Sequence, residues 1–194
     1  MSETKLLPQT QSQTVGPYFA YGLTAEQYGY ANTQIATGRM AGDGVAGRRI
    51  RIVGAVYDAD DKTVPDAMLE LWQADGEGRI PTTPASGNAG FTGFGRQGTG
   101  VDADHRFAFE TVKPGRVDDE QAPHIVVVVF MRGLLSHLYT RLYFADEAEA
   151  NAADPVLLSV PDARRKTLVA LHDGDAYRFD IRLQGPDETV FFDV

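Results

Sequence analysis

Hydrophobic residues alternate with polar ones along several short segments of the chain, which is the pattern of half-buried β-strands. In 49–57, for example, Ile50, Ile52 and Val56 share one face, because side chains two positions apart point the same way in a strand. The segments predicted as strands are 49–57, 64–73, 106–112, 122–133, 137–144, 176–184 and 189–194.

About seven short strands separated by turns predict an all-β fold, and we expect an antiparallel β-sandwich. One or two short helices are predicted in addition. Segment 146–153 opens with a D-x-x-E capping pattern and should stop at Pro155, and 161–168 should add another turn. Segment 80–104 is rich in Gly, Pro, Thr and Ser, which predicts a long surface loop.

The first 47 residues show little periodicity, yet Tyr18, Tyr21 and Tyr28 are among several aromatic residues there. Disordered tails are usually poor in aromatic residues, so this segment should be ordered by docking on its own domain or on a partner. We predict an N-terminal arm at 1–47 that docks on a partner chain, followed by one sandwich domain at 48–194.

Segment 122–133 has the pattern of a buried strand, rich in β-branched residues, with His124 near its start and Arg132 near its end. His124 and Val126 lie on the same face of such a strand. A metal site at this position would need a second imidazole two residues after the first, and Val126 cannot bind a metal. The residues alone leave open whether this is an ordinary core strand or a metal-binding strand that has lost a ligand.

Composition narrows the classes of function. The chain has 194 residues, 43% of them hydrophobic, which suits one domain with a real core. The absence of cysteine excludes disulfides and thiolate metal sites. A net charge of −9 disfavours nucleic acid or an anionic membrane as the main partner. With no signal-peptide or membrane-spanning pattern in the sequence, we expect a cytoplasmic location.

Six motifs follow one another in the order and spacing of a known family. They are 69–78 (LELWQADGEG), 113–115 (KPG), 122–125 (APHI), 140–144 (TRLYF), 177–181 (YRFDI) and 188–192 (ETVFF). Together they resemble the sandwich motifs of intradiol ring-cleaving dioxygenases. The resemblance extends over most of the chain, and each motif is weakly specific without the others.

In that family, iron-containing members hold Fe(III) with two tyrosines and two histidines. By resemblance, these four positions are Ile80, Val117, His124 and Val126, of which only His124 carries a metal-binding side chain. One imidazole cannot hold ferric iron, because a metal site needs several convergent donors. A family arginine that balances the charge over the site falls on Gln121.

This pattern resembles the iron-free alpha chain of the family's two-chain enzymes, in which a homologous beta chain holds Fe(III). The resemblance implies that this chain binds no metal, is inactive alone and shapes the active site of an iron-bearing beta chain in an alpha–beta hetero-oligomer. The implied substrate is a small aromatic acid, 3,4-dihydroxybenzoate, which O2 converts to 3-carboxy-cis,cis-muconate by cleavage between its two hydroxylated carbons.

The resemblance also implies which residues reach the partner's active site. Thr14, Gly16 and Pro17 should line its pocket, since Gly and Pro allow a fixed loop to approach closely and Thr offers a hydroxyl. Arg132 should bind the substrate carboxylate, because a guanidinium stays charged and can donate two parallel hydrogen bonds. Arg141 is a second, weaker candidate that we expect in a structural pair. No residue of this chain is assigned a catalytic role.

Two other interpretations stay open at this point. The chain could be a non-catalytic sandwich that binds a ligand or carbohydrate, with only the fold in common with the dioxygenases. It could also be a homomeric enzyme that uses a different metal. The requirement for a partner chain and the metal content of the purified single chain distinguish these interpretations from the alpha-chain interpretation.

Overall fold

Nine β-strands form the body of the protein in a computed structural model, which describes residues 8–16, 18–31, 35–81 and 90–194. The strands are β1 (Arg49–Tyr57), β2 (Met68–Trp72), β3 (Phe94–Gly98), β4 (Arg106–Val112), β5 (His124–Phe130), β6 (Leu138–Phe144), β7 (Val169–Asp173), β8 (Ala176–Arg178) and β9 (Ile181–Arg182). The predicted all-β class is confirmed.

The strands are hydrogen-bonded along one path, β3-β2-β5-β6-β7-β8-β1-β4, and β9 pairs with β1. The β6–β7, β1–β8 and β1–β9 pairs are parallel, and the other pairs are antiparallel. The β6–β7 pair is short and joins a group of four strands to a group of five, which includes β9. Their inward side chains meet in one core, which confirms the predicted sandwich.

The main core follows from the alternation in the strands. Ile52 and Phe109 of the β1–β4 pair lie in the same buried cluster as Leu71, Val127 and Leu142 from the other group of strands. A second buried cluster lies on the opposite face of β6 and contains Tyr143, Ala122, Leu157, Val160 and Leu168. The strand β5 therefore lies at the centre of the fold, between β2 and β6.

The predicted strand 176–184 is interrupted. Its inward alternation is present, but β8 and β9 are separated at Phe179 and Asp180, where the chain crosses Gly54 of β1. A Cβ atom at Gly54 would lie 2.0 Å from the carbonyl oxygen of Phe179, so only glycine permits this approach. The Asp180 carboxylate accepts a hydrogen bond from the amide of Ala55, which replaces a ladder bond at the break.

The prediction of one long loop at 80–104 is wrong, because β3 lies within it and pairs with β2. The segment shows little alternation because two of its five residues are glycine. A Cβ at Gly95 would lie 2.5 Å from Cγ of Met40, so this position lacks a side chain to make room for the core. Residues 82–89 of the predicted loop lie outside the described residues.

Other strand predictions also need correction. The strand predicted at 64–73 is limited to β2, and β7 was not predicted. The predicted closing strand at 189–194 is reduced to one bridge between Tyr139 and Phe192. These segments are short or lie at an edge, where a pairing partner rather than the local pattern decides the conformation.

The described helices are short. They are α1 (Phe19–Leu23), α2 (Ala148–Ala153), α3 (Pro155–Ser159) and α4 (Asp162–Arg165), with 3-10 turns at Ala25–Tyr28 and Lys166–Leu168. The capping prediction is wrong: Asp146 does not cap α2 but accepts a hydrogen bond from Lys113 at 3.0 Å. Pro155 begins α3, whose N-cap is Asp154. Within the described residues, each helix is too short or too polar to cross a membrane.

The N-terminal arm contacts its own sandwich in part. Met40 is fully buried in the main core, and its amide donates to the carbonyl of Glu110 at 2.8 Å. Residues 8–16 are mostly exposed and extended along the loop that follows β5. Docking of the arm on a partner chain stays a prediction.

Candidate functional site

The four positions that the family resemblance assigned to metal ligands converge in the structure. Ile80, Val117, His124 and Val126 line one cavity of about 160 Å³, which we call the ligand-position cluster. Trp72 completes a wall of the cavity, with its ring 4.2 Å from the ring of Phe94. Three separate segments supply the cluster: the turn after β2, the loop after β4 and the start of β5.

Two loops bring the first two positions together. Gly78 has a φ of 83°, and a Cβ atom there would lie 1.8 Å from the carbonyl oxygen of Arg116. The carbonyl of Asp75 accepts a hydrogen bond from the amide of Gly115 at 2.8 Å. The glycines thus allow the two backbones to lie in contact, which fixes the distance between the residues that follow them, Ile80 and Val117.

The residues of the ligand-position cluster do not fit ferric iron. Three of the four side chains are aliphatic and have no donor atom, so His124 alone could coordinate a metal. A protein metal site needs several convergent donors, and one imidazole supplies only a single neutral one. We therefore assign no chemical step to a metal on this chain.

The remaining histidine is held as a neutral group. Nδ1–H of His124 donates to the carbonyl of Ala122 at 2.9 Å, and the ring lies 5.8 Å from that of Tyr143. Burial lowers the pKa of His124 below its ordinary value, and the nearby Arg141 guanidinium acts in the same direction. The imidazole thus serves the packing of the strand.

Gln121 and Arg141 are bound to each other beside this cavity. Nη1 of Arg141 donates to Oε1 of Gln121 at 2.9 Å, and the Gln121 amide donates to Asp118 at 2.8 Å. The structural pair that we expected for Arg141 is present. Arg141 is partly buried, and its guanidinium is directed towards Gln121 at the start of β5, away from the Arg132 end of the strand.

Asp154 connects three segments of the chain next to this network. Its buried carboxylate accepts hydrogen bonds from the amides of Ala122 and Leu157 and from the hydroxyl of Tyr143, at 2.9, 2.8 and 3.1 Å. Burial raises the pKa of Tyr143 to about 12, so its hydroxyl remains a donor. Asp154 was not predicted as a structural residue, although an Asp before a Pro is a signal for a helix N-terminus.

A second group of residues lies at the other end of β5, and we call it the arm-end surface: Thr14, Arg132 and Gly133. The amide of Gly133 donates to Oγ1 of Thr14 at 2.8 Å, so the arm lies directly beside Arg132. Nε of Arg132 donates to the carboxylate of Asp66, while 53% of the Arg132 side chain stays exposed. The structure thus brings together two of the site residues that the sequence analysis chose.

The structure does not test the predicted roles of the other two arm residues, Gly16 and Pro17. Gly16 is exposed, and a Cβ atom there would have no neighbour within 4 Å. Pro17 lies outside the described residues. No contact of the described chain shows what these residues would line, and their roles at a partner's site stay predictions.

Comparison with known proteins agrees with the geometry. A family model described as Dioxygenase matches residues 15–185. The chain is 57% identical to the protocatechuate 3,4-dioxygenase alpha chain of Burkholderia cepacia, over 97% of this chain and 98% of the relative. It is 34% identical to the protocatechuate 3,4-dioxygenase beta chain of the same organism, over 74% of this chain and 67% of that relative.

Solved structures agree on the fold. The dioxygenase domain of a dioxygenase–carbohydrate-binding fusion from Streptomyces sp. SirexAA-E superposes with a TM-score of 0.58 at 23% identity, covering 94% of this chain and 100% of that one. The family match spans most of the chain, and the alpha-chain relative covers nearly all of it. The chain therefore belongs to the family of intradiol ring-cleaving dioxygenases.

Proposed function

We propose that this chain is the non-iron-binding alpha subunit of a protocatechuate 3,4-dioxygenase. In this proposal it forms an alpha–beta hetero-oligomer with a homologous beta chain that holds Fe(III), and it shapes that chain's active site. The reaction is the intradiol cleavage of 3,4-dihydroxybenzoate by O2 to 3-carboxy-cis,cis-muconate. The iron would supply Lewis-acid chemistry from the partner, and this chain would bind and orient the substrate.

The ligand-position cluster carries the proposal. Its four positions converge on one cavity, and the two supporting loops are in close contact at Gly78 and Gly115. Yet three of the four side chains are aliphatic. A scaffold that keeps this geometry without the donors fits a chain whose iron chemistry is done elsewhere. The similarity to both an alpha and a beta chain supports a homologous partner as the place for that chemistry.

The proposed contribution of this chain lies at the arm-end surface. The net charge of −9 opposes the approach of an anionic substrate, so a local cation is needed to bind a carboxylate. Arg132 is such a cation: it is half exposed and adjoins the arm at Thr14. In the proposal, Arg132 binds the substrate carboxylate, and Thr14, Gly16 and Pro17 form part of the pocket wall.

Production of the chain alone and together with an iron-bearing homologue tests the proposal. We expect the chain alone to contain no stoichiometric iron and to consume no O2 with 3,4-dihydroxybenzoate. Co-production should give a complex that contains both chains, binds iron and consumes O2. The matched control is the homologue alone, which should be less active than the complex.

Other results would support the alternatives. Stoichiometric metal in the purified single chain would support a homomeric enzyme. A stable single chain that binds a glycan tightly and does not associate with the homologue would support a non-catalytic binding sandwich. Full activity of the homologue alone would exclude a role for this chain in shaping the active site.

A further inference from the structure

The end of the β2–β5 ladder brings an aspartate next to Arg132. The ladder ends at the pair of Met68 of β2 and Phe130 of β5. Asp66 lies in the turn before β2, and Arg132 lies in the turn after β5, so both are two residues from that last pair. At this edge of the sheet, Nε of Arg132 donates a hydrogen bond to the Asp66 carboxylate.

The contact uses only one side of the guanidinium. Asp66 accepts from Nε, which leaves the Nη1 and Nη2 groups at the outer end of a side chain that is 53% exposed. Two parallel hydrogen bonds to a carboxylate require two N–H groups on one edge of the planar guanidinium. The Nη1–Nη2 edge meets this requirement while Nε stays bound.

Asp66 is better fixed than Arg132. Only 26% of its side chain is exposed, and it lies in the turn immediately before β2. Its negative charge also reaches Tyr28 of the arm, whose pKa is raised by burial and by the charges of Tyr21 and Asp66. Asp66 thus lies between the arm and the end of β5, and it can hold the arginine in one orientation with respect to both.

We propose that Asp66 is a positioning residue for Arg132: it holds Nε so that the Nη1–Nη2 edge faces the carboxylate of an aromatic acid bound at the partner chain's site. The inference rests on the proposed function, in which Arg132 binds that carboxylate. An arginine side chain loses much rotamer freedom when it binds, and a carboxylate that already fixes its orientation removes part of that cost. The affinity gained from the fixed orientation exceeds the affinity lost because the Asp66 charge weakens the attraction between Arg132 and the substrate carboxylate. Water screens the exposed Asp66–Arg132 pair and keeps this loss small.

The test uses the complex of this chain with the iron-bearing homologue. Asp66→Ala should raise KM for 3,4-dihydroxybenzoate about five- to tenfold, which is the usual effect of one ordinary hydrogen bond because Asp66 acts only through Arg132, and change kcat less than about twofold. KM for catechol, which lacks the carboxylate, and the iron content should be unchanged. Asp66→Glu should restore part of the affinity, because it keeps the charged acceptor. Asp162→Asn is the matched control, since it removes the same charge from another Asp–Arg pair whose aspartate is 93% exposed.

Three results would overturn the inference: a lower KM, an equal rise of KM for both substrates, or no change of KM in Asp66→Ala while Arg132→Ala has a selective effect. A lower KM for 3,4-dihydroxybenzoate in Asp66→Ala would mean that Asp66 masks the arginine. An equal rise of KM for both substrates would mean that Asp66 is only structural. The single variants Arg132→Ala and Asp66→Ala separate the two proposals. If Arg132→Ala alone has no selective effect, the role of Arg132 fails; if it has one and Asp66→Ala has none, only the role of Asp66 fails.

Discussion

The two ends of β5 belong to one strand but differ in the state of their polar groups. At the start, His124, Gln121 and Arg141 form hydrogen bonds within the chain and are at least partly buried. Beyond the other end, Arg132 and Thr14 also form hydrogen bonds, but both side chains remain exposed. The two sites are roughly 25 Å apart, given about 3.3 Å of rise per residue.

The difference separates a structural role from a binding role. A partner or a ligand can use only groups that water still reaches, because exchanging a water contact for a new hydrogen bond costs little. Groups that are buried and saturated would have to break existing bonds first. The start of β5 should therefore control the stability of the chain, and the Arg132 end should control substrate affinity in the complex.

The largest expected effect is on stability, at Asp154. Asp154→Ala should lower the free energy of unfolding of the isolated chain by about 4 kcal/mol, because it leaves buried donors of Ala122 and Tyr143 without an acceptor and removes the cap of α3. Urea denaturation measures the change. Asp162→Ala, at an exposed position on α4, should cost less than about 0.5 kcal/mol. A loss below about 1 kcal/mol at Asp154 would contradict the structural role of this end.

Arg132→Ala should have the largest effect on affinity. In the complex, KM for 3,4-dihydroxybenzoate should rise about thirtyfold, which corresponds to about 2 kcal/mol for a lost charged pair. Iron content should stay the same, and KM for catechol should change little. Steady-state O2 consumption measures both constants. The matched control is Arg39→Ala, since Arg39 is 55% exposed and is also paired with an aspartate.

Two outcomes at Arg132 would break the comparison between the ends of β5. An equal loss of affinity for both substrates would exclude recognition of the carboxylate. Loss of iron from the complex would show that Arg132 supports the assembly, as Asp154 supports the chain. Either result would mean that Arg132, like Asp154, has a structural role and does not bind the substrate carboxylate.

A smaller effect is expected at Thr14. Thr14→Val removes the acceptor for the Gly133 amide and loosens the arm beside Arg132. KM for 3,4-dihydroxybenzoate should rise about threefold, with the unfolding free energy changed by less than about 0.5 kcal/mol, because the bond is exposed. Thr14→Ser keeps the hydroxyl and should behave as the unmodified chain. A rise of KM in Thr14→Ser as large as that in Thr14→Val would exclude the hydrogen bond to Gly133 as the cause, because serine keeps the hydroxyl.

The sequence predicted the features that depend on local alternation. The strands β1, β4 and β5 were recognised from their patterns, and the resemblance named four positions that do converge in the ligand-position cluster. The strand β3 was not predicted from the sequence. Its Gly95 makes room for Met40, which lies far away in the sequence, and therefore interrupts the local alternation. Pairing of distant segments decides such strands, and a single pattern does not contain that information.

The site was predictable to a similar extent. Arg132 and Thr14 were selected by resemblance, and the structure places them side by side. Asp66 was not selected, because it lies in a turn far from Arg132 in the sequence and only the fold brings the two side chains together. Asp154 was missed for a different reason: the proline after it was interpreted as the end of one helix when it is the start of the next.

The smallest expected effect is the pH dependence due to His124. Because its pKa is lowered in the fold from 6.5, the unfolded chain binds more protons at and below about pH 6.5, and the fold should lose stability as the pH decreases through this range. His124→Gln keeps a donor for the carbonyl of Ala122 and cannot be protonated. Between about pH 7.5 and 5.5, its free energy of unfolding should therefore decrease less than that of the unmodified chain. Identical pH dependence of the two proteins would show that His124 is accessible to water in its charged form, and the start of β5 would then no longer differ from the Arg132 end in this respect.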